Sequence, residues 1–471
     1  MKKLVFCIVV LGFCFTTEAQ QLTLRKGVVI DSLKINDSIS ESYALFLPKS
    51  FDVKKQWPVL FVFDIEGRGK QVLQMFLQAS EKQGYIIAAS NSIYDSIAMS
   101  ENIQRASRMM NNVISILPIN GKRIYTAGFS EGGKFASVLP VVIKNIEGVV
   151  SINASMANTD VLNAKTPFHY IGIVGGDDYN LSEMELTEKI LNGLRFPNQL
   201  FVYNQGVEPT TFKYIEKALE VFTLTAMIKG VIAKDQSFID ESYERNVDLI
   251  NRLIDANMLL EADQLLSEII EVYRVHVDLD ELKAKQKKIR RDKVYKAMKR
   301  NESNAVFKES LLREDYDYAM YEDIATYNFN NLGWWNYQMQ VLKKYSESEN
   351  VSESLMGKRL VGFVNHLVES NTLELKQESI VDEEGLNFLW MLKTLTSPSN
   401  YESYINVIAY SAKVEDFGTA LFYLEELLKV GYNNKKELYN IDNTALLRIT
   451  PEYNELIEKY LKDARYDVNE Q

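Results

Sequence analysis

Cysteine and histidine are scarce in this chain, with 2 and 3 copies among 471 residues. Two cysteines cannot build a disulfide framework or a Cys-rich zinc site. Three histidines are few enough that any mechanism needing one can be tested on each in turn. Positive charge is also short, with 53 Lys and Arg against 64 Asp and Glu and a net charge of −11. A dedicated nucleic-acid binder needs a basic footprint, so no nucleic-acid partner is expected. Past the N-terminus, no run approaches the roughly 18 apolar residues of a membrane helix. The chain is nevertheless 46% hydrophobic, too apolar for a disordered tail. At about 150 residues per domain, its length suggests two or three domains.

Lys2 and Lys3 precede an apolar run from Leu4 to Phe15, and Thr17-Glu18-Ala19 follows. This is the layout of a secretory signal peptide over residues 1–19, cut before Gln20; the alternative is a buried N-terminal strand. Both cysteines, Cys7 and Cys14, lie inside it. A lipoprotein needs a small residue before the acylated cysteine, and Phe13 stands there. The expectation is an exported protein, periplasmic or secreted, without a lipid anchor. Losing Lys2, Lys3 and Glu18 takes the basic and acidic counts from 53 and 64 to 51 and 63, net −12, and leaves no cysteine.

Residues 20–230 alternate short apolar runs with helical patterns. Val28-Val29-Ile30, Ser42 to Leu47, Val59 to Phe63, Tyr85 to Ala89, Arg123 to Ala127, Gly148 to Ile152, Tyr170 to Val174 and Leu200 to Tyr203 read as strands. Several are apolar throughout, as in a parallel sheet covered on both faces. Helical periods fall between them, for example Gln71 to Gln83 and Asn102 to Leu117. Alternating β and α elements predict an α/β domain with a mostly parallel eight-stranded sheet.

From 235 to 471 only helical periods remain. Ala262, Leu266 and Ile269 repeat the spacing of Ala420, Leu424 and Leu427, which follow Glu415-Asp416. A small residue followed at +4 and +7 by larger apolar ones suits the second helix of a helical hairpin. The copies lie 158 residues apart, which is no multiple of the tetratricopeptide period of about 34. Two descriptions stay open, a degenerate tetratricopeptide-like solenoid and an irregular bundle. Lys283 to Arg300 holds ten basic residues and one acid, Asp292. It reads as one long exposed helix, either a solvated face or a weak contact with an anionic surface. Trp334-Trp335, with Tyr337, reads as helix-packing core or as the floor of a ligand groove.

The motif with chemical content is Gly128-Phe129-Ser130-Glu131-Gly132, followed by Gly133. It stands between the strand ending at Ala127 and a helix starting at Lys134. A turn so tight strains the serine, needs small neighbours, lifts the hydroxyl above the sheet and turns the Glu131 N–H toward an oxyanion. The bland alternative is a glycine-rich turn with an incidental serine.

The strand order, this elbow and the loop Asp64-Ile65-Glu66-Gly67-Arg68-Gly69 resemble the α/β-hydrolase superfamily. Ser90-Asn91-Ser92 and Asp178-Tyr179-Asn180-x-x-Glu183-Met184 resemble its secreted bacterial esterase-like branch, near dienelactone hydrolases and feruloyl esterases. Some members of that branch carry tetratricopeptide helices. Leu447-Arg448-x-x-Pro451-x-Tyr453 is a stretch common after such repeats. The resemblance covers about residues 40–225. It implies an ester or acyl-ester hydrolase with Ser130 as nucleophile, Asp178 as acid (Asp177 as fallback), and Glu131 and Ile65 supplying oxyanion N–H groups. Where the family places its histidine, after the last strand, this chain reads Asn204-Gln205-Gly206-Val207-Glu208-Pro209, with Val207 at the histidine position.

No histidine occurs between His169 and His276. His169 opens a strand at the end away from the elbow, and a backbone-bonded strand-entry role is expected. His276 and His366 belong to the helical half and serve as bases only if that half covers the sheet's C-terminal edge. Without a base, serine stays a protonated alcohol, and Glu131 or Glu208 near an ordinary pKa is a feeble substitute. No metal motif, P-loop or dinucleotide fingerprint appears, so no metal or cofactor is expected. Two readings follow. One is an impaired hydrolase scaffold that binds a small ester or acyl ligand, or a protein partner through its helical half. The other is an active serine esterase with a non-standard base.

Overall fold

The computed structural model describes residues 24–204 and 211–466. Residues 1–19, read as a signal peptide, and Val207 with Glu208 lie outside the described residues.

Eight strands form one sheet: β1 (Val29–Lys34), β2 (Ser42–Phe46), β3 (Trp57–Phe63), β4 (Ile86–Ser90), β5 (Ile119–Phe129), β6 (Gly148–Ile152), β7 (His169–Gly175) and β8 (Asn198–Tyr203). Their order across the sheet is β1-β2-β4-β3-β5-β6-β7-β8. The pairs β1–β2 and β2–β4 are antiparallel, and β4–β3, β3–β5, β5–β6 and β6–β7 are parallel. Every residue of β3, β4, β6 and β7 is buried, which is why their sequences show no alternation of apolar and polar residues. With the helices between strands, this is an α/β-hydrolase-type sheet. The strand order reverses at β3, so the chain leaves β3 and β5 in opposite directions, the topology at which open α/β sheets commonly bind ligands.

The helices between strands are α1 (Gly69–Gln74), α2 (Leu77–Gln83), α3 (Met99–Ile116), α4 (Glu131–Val142), α5 (Leu181–Gly193) and α6 (Thr211–Ile228). The single helix expected over Gln71 to Gln83 is two, because the chain turns through Met75 and Phe76 and buries the Phe76 ring completely.

The all-helical remainder runs α7 (Gln236–Asp255), α8 (Leu259–Tyr273), α9 (Asp280–Arg291), α10 (Lys293–Thr326), α11 (Leu332–Ser346), α12 (Val351–Gln377), α13 (Glu383–Thr396), α14 (Tyr401–Lys413), α15 (Phe417–Lys429), α16 (Lys435–Leu438) and α17 (Pro451–Leu461). The basic stretch is not one helix. Asp292 takes an extended conformation and its carboxylate accepts from the Val294 N–H, ending α9 and capping α10; N-cap aspartates favour that break. Part of its charge is neutralised, since Arg290 pairs with Asp263 at 2.7 Å and Lys299 pairs with Glu302. Ala262, Leu266 and Ile269 are buried in α8, and Ala420, Leu424 and Leu427 in α15. Trp335 is fully buried and its indole N–H donates to Asp323 at 2.8 Å, while Tyr337 is exposed. Among the described residues no helix is long and apolar enough to cross a membrane.

The chain divides into two compact units. One comprises Met1–Ile173, Thr187–Phe201 and Pro209–Lys234; the other comprises Val174–Leu186, Val202–Glu208 and Asp235–Gln471. The last two residues of β7 and the segment after it therefore count with the helices.

Candidate active site

In the first unit, Ser130 joins β5 to α4 with φ 48° and ψ −126°. Positive φ is costly for a residue with a side chain, so the surroundings must enforce it. Here backbone contacts do so. The Ser130 N–H donates to Ile152 O at 2.8 Å, and its carbonyl accepts from Gly133 N at 2.8 Å and Lys134 N at 3.1 Å. The chain packs on itself closely enough that a Cβ on Gly128 would strike the Gly132 carbonyl, and one on Gly132 would strike the Phe63 carbonyl. At Gly133 it would meet Gly128 O and the Ser151 hydroxyl, each at 2.9 Å. The turn leaves Ser130 exposed at the tip.

Helix α4 is seated by Phe135, whose ring meets Phe63 edge-on at 5.3 Å. Pro140 lies inside this helix and cannot donate to the Ala136 carbonyl. The buried Thr126 hydroxyl, on β5, donates to that carbonyl at 3.0 Å instead. Strand and helix are thus joined by a side-chain bond close to the elbow.

Phe63 and Gly128 are in register across β3 and β5, so Ile65 and Ser130 each stand two residues beyond a paired position. Glu131 is the first residue of α4, where backbone N–H groups lack intrahelical acceptors. Its side chain pairs with Lys134 at 2.6 Å. The loop after β3 is braced by Asp64, which accepts from Glu66 N at 2.8 Å and from Arg68 Nη2 at 2.9 Å. Burial raises the Asp64 pKa, but the bonds from Arg68 and Glu66 outweigh it and leave the carboxyl below its ordinary value. The Ile65 carbonyl accepts from Asp95 N at 2.8 Å.

His169 lies at the far end of this unit's strands. It is in register with Gly148, and Gly148 with Tyr125. Ser130 is five residues past Tyr125, about 16 Å of strand at roughly 3.3 Å per residue. The ring is buried, with Nε2 2.5 Å from Gln199 Oε1 and Nδ1 3.4 Å from Thr225 Oγ1. Its ring partners are side chains rather than the backbone groups expected, because β8 and α6 present Gln199 and Thr225 to it. Burial first, with the Lys229 charge adding, depresses its pKa to about 4 against an opposing bond from Gln199.

In the second unit, Asp178 sits in the loop Gly175 to Asn180. Its Oδ1 accepts from Asn180 N at 2.8 Å and Asn180 Nδ2 at 3.1 Å. Burial raises its pKa and the nearby Asp177 charge adds, against the Asn180 bonds and Arg313. The loop is held by a charged cluster with no local sequence signature. Arg359 Nη1 donates to Gly176 O at 2.5 Å and Arg313 Nη2 to Tyr179 O at 2.7 Å. Both guanidinium groups converge on Glu309, Arg359 Nη2 at 2.6 Å from Oε2 and Arg313 Nη2 at 2.9 Å from Oε1. Glu309 is 2% exposed and Arg359 6%. A buried carboxylate between two arginines satisfies its charge and leaves donors over for the loop carbonyls.

The other two histidines also belong to this unit. His366, in α12, stacks on Tyr179 with centroids 4.8 Å apart, and the Tyr179 hydroxyl lies 3.3 Å from its Nδ1. His276 lies in the turn after α8, not in a helix, with its ring 6.4 Å from that of Tyr273. Among the described residues no group of three or more His, Cys, Asp or Glu is placed to hold a metal.

No family model matches the chain, and no curated protein matches it. Solved structures of esterases and of a further hydrolase match part of the chain. Esterase B from Lactobacillus rhamnosis is 10% identical, with 43% of this chain and 88% of that chain covered and a TM-score of 0.36. Esterase 2 from Thermogutta terrifontis is 10% identical, with 45% and 99% covered and a TM-score of 0.35. S-formylglutathione hydrolase from Staphylococcus aureus is 12% identical, with 43% and 99% covered and a TM-score of 0.33. The fold assignment stands on the sheet's own strand order and connections.

Proposed function

We propose that this is an exported hydrolase-fold protein that has lost most of its catalytic power and acts by binding. Its ligand would be a small ester or acyl compound, or a protein partner docked on the helical region, read here as tetratricopeptide-like. The observation that carries this reading is the want of a base. Val207 occupies the place where the resembling family has histidine, and His169 is buried between Gln199 and Thr225. Valine can neither take the proton from Ser130 nor return one to a leaving group. Losing a triad member costs about four to six powers of ten, while an oxyanion hole alone retains roughly 10³–10⁴ over water.

A second reading keeps an active serine hydrolase built on Ser130 and Asp178. In its favour, His366 lies against Tyr179, the residue after Asp178. Labelling with a serine-reactive fluorophosphonate separates the two. The binding reading expects no more signal than Ser130→Ala gives. Strong labelling that disappears in Ser130→Ala would overturn it, and its further loss in His366→Ala would name the base. Conversely, Val207→His should raise aryl-acetate hydrolysis on the order of 10²-fold by restoring acid–base transfer. The basic helices over Lys283 to Arg300 are proposed only as a weak contact with an anionic surface.

A further inference from the structure

The second unit contains a cleft of about 680 Å³ lined by residues of α13, α14, α15 and the turn between the last two, with Phe329. That volume lies within the roughly 300–1,000 Å³ of small-ligand sites. Its lining combines three features. Aromatic rings come from Phe329, Tyr410, Phe422 and Tyr423. Negative charge comes from Glu384 and Asp416, and the lining contains no lysine or arginine. The third feature is Asn387, which is 5% exposed and whose Oδ1 has no hydrogen-bond partner among the described residues. A buried acceptor left unbonded is unfavourable and rare in native proteins.

Among the described residues, Glu384 and Asp416 are not engaged by a cation. Asp416 caps α15 by accepting from Thr419 N at 3.1 Å, but neither it nor Glu384 forms an ion pair among the described residues. Lys413, on α14, is paired with Glu383 at 2.6 Å. Burial, then the Glu384 and Glu383 carboxylates, hold the Tyr410 hydroxyl above its ordinary pKa, against Lys413. The rim is apolar and open, with Phe422 58% and Val414 53% exposed. Rings for an aliphatic or planar stem and carboxylates for a cation, over a wall that holds an unbonded buried amide oxygen, describe one kind of occupant.

We propose that this cleft binds a basic peptide segment of a partner protein, seating an arginine or lysine side chain against Tyr410 and Phe422 with its head group toward Glu384 and Asn387. The proposal rests on the binding reading above and gives that reading a site and a ligand chemistry.

The test is fluorescence anisotropy with a labelled Gly-Arg-Gly-Arg-Gly peptide on the full chain, beside the same peptide with citrulline for arginine. Binding of the arginine peptide, weakened about tenfold or more by Glu384→Lys and by Asn387→Leu but not by Glu244→Lys on α7, supports the site. Equal binding of the citrulline peptide, or binding indifferent to Glu384→Lys in a variant with wild-type thermal unfolding, overturns it. Self-association that Glu384→Lys abolishes would make a second copy's basic helix the occupant and overturn the partner assignment. Free arginine amide competing as well as the peptide would reduce the site to a small-cation pocket and overturn the peptide assignment. The two readings fail separately. Absent peptide binding with absent fluorophosphonate labelling removes the cleft and leaves the impaired scaffold. Strong labelling with intact peptide binding does the reverse.

Discussion

The serine turn and the loop carrying Asp178 are held by different kinds of interaction. Around Ser130 the contacts are backbone against backbone, within one stretch of strand, turn and helix braced by β3 and β6. Around Asp178 the contacts are long side chains, Arg359 and Arg313, joined through Glu309. The first arrangement tolerates almost no added atom but needs no particular distant residue. The second depends on three charged residues that must be present together. The elbow is therefore set by backbone packing that many sequences could supply, while the loop carrying Asp178 draws two of its bonds from side chains 134 and 183 residues away.

Removing the charge at the centre of that cluster should have the largest effect. Glu309→Ala leaves the buried Arg359 and the half-buried Arg313 guanidinium groups without their shared carboxylate, and a destabilisation of about 3–5 kcal/mol is expected in denaturant unfolding. Hydrogen exchange should rise over residues 176–180 and stay unchanged over 128–133. A rise in both would erase the contrast.

Next comes His169. Its pKa of about 4 lies below the unfolded value near 6.5, so the unfolded chain binds the extra proton between those pH values. The stabilising effect is whole above about pH 6.5, and it is lost as pH falls toward 4. The loss amounts to on the order of 3 kcal/mol. His169→Gln should flatten that part of the stability profile relative to wild type, as read by urea titration from pH 7 to 4. An unaltered profile would mean that the ring is solvated.

Gly132→Ala should cost about 1–3 kcal/mol, since its Cβ would meet the Phe63 carbonyl and force backbone to shift. Calorimetry reads it directly. The smallest effect is expected from Thr126→Val, which strips the Ala136 carbonyl of its donor beside Pro140. About 1–2 kcal/mol should be lost, and an effect near zero would mean that another donor replaces the threonine.

Much of the fold is visible in the chain. Fully buried strands appear as unbroken apolar runs, and the glycines around Ser130 mark a place where backbone meets backbone. The helix break at Asp292 is hidden among ten basic residues, because only the aspartate's capping bond reveals it. The ring partners of His169 are equally hidden, since Gln199 and Thr225 come from elements 30 and 56 residues away. Arg359 and Gly176 are 183 residues apart, and no spacing rule links an arginine on a late helix to a carbonyl after a strand. The cleft beside Asn387 is built from rings that, read singly, look like ordinary helix packing.

The arginine bonds to Gly176 and Tyr179 also bear on autonomy. A chain ended after Lys234 would carry every strand of the sheet and every glycine of the elbow. Two loop carbonyls would nevertheless lose their guanidinium donors, and the loop carrying Asp178 would keep its own turn bonds and the Gly176 N–H bond to Tyr203 O. A strand-bearing segment made without α10 and α12 is expected to hold residues 176–180 less tightly than the full chain does.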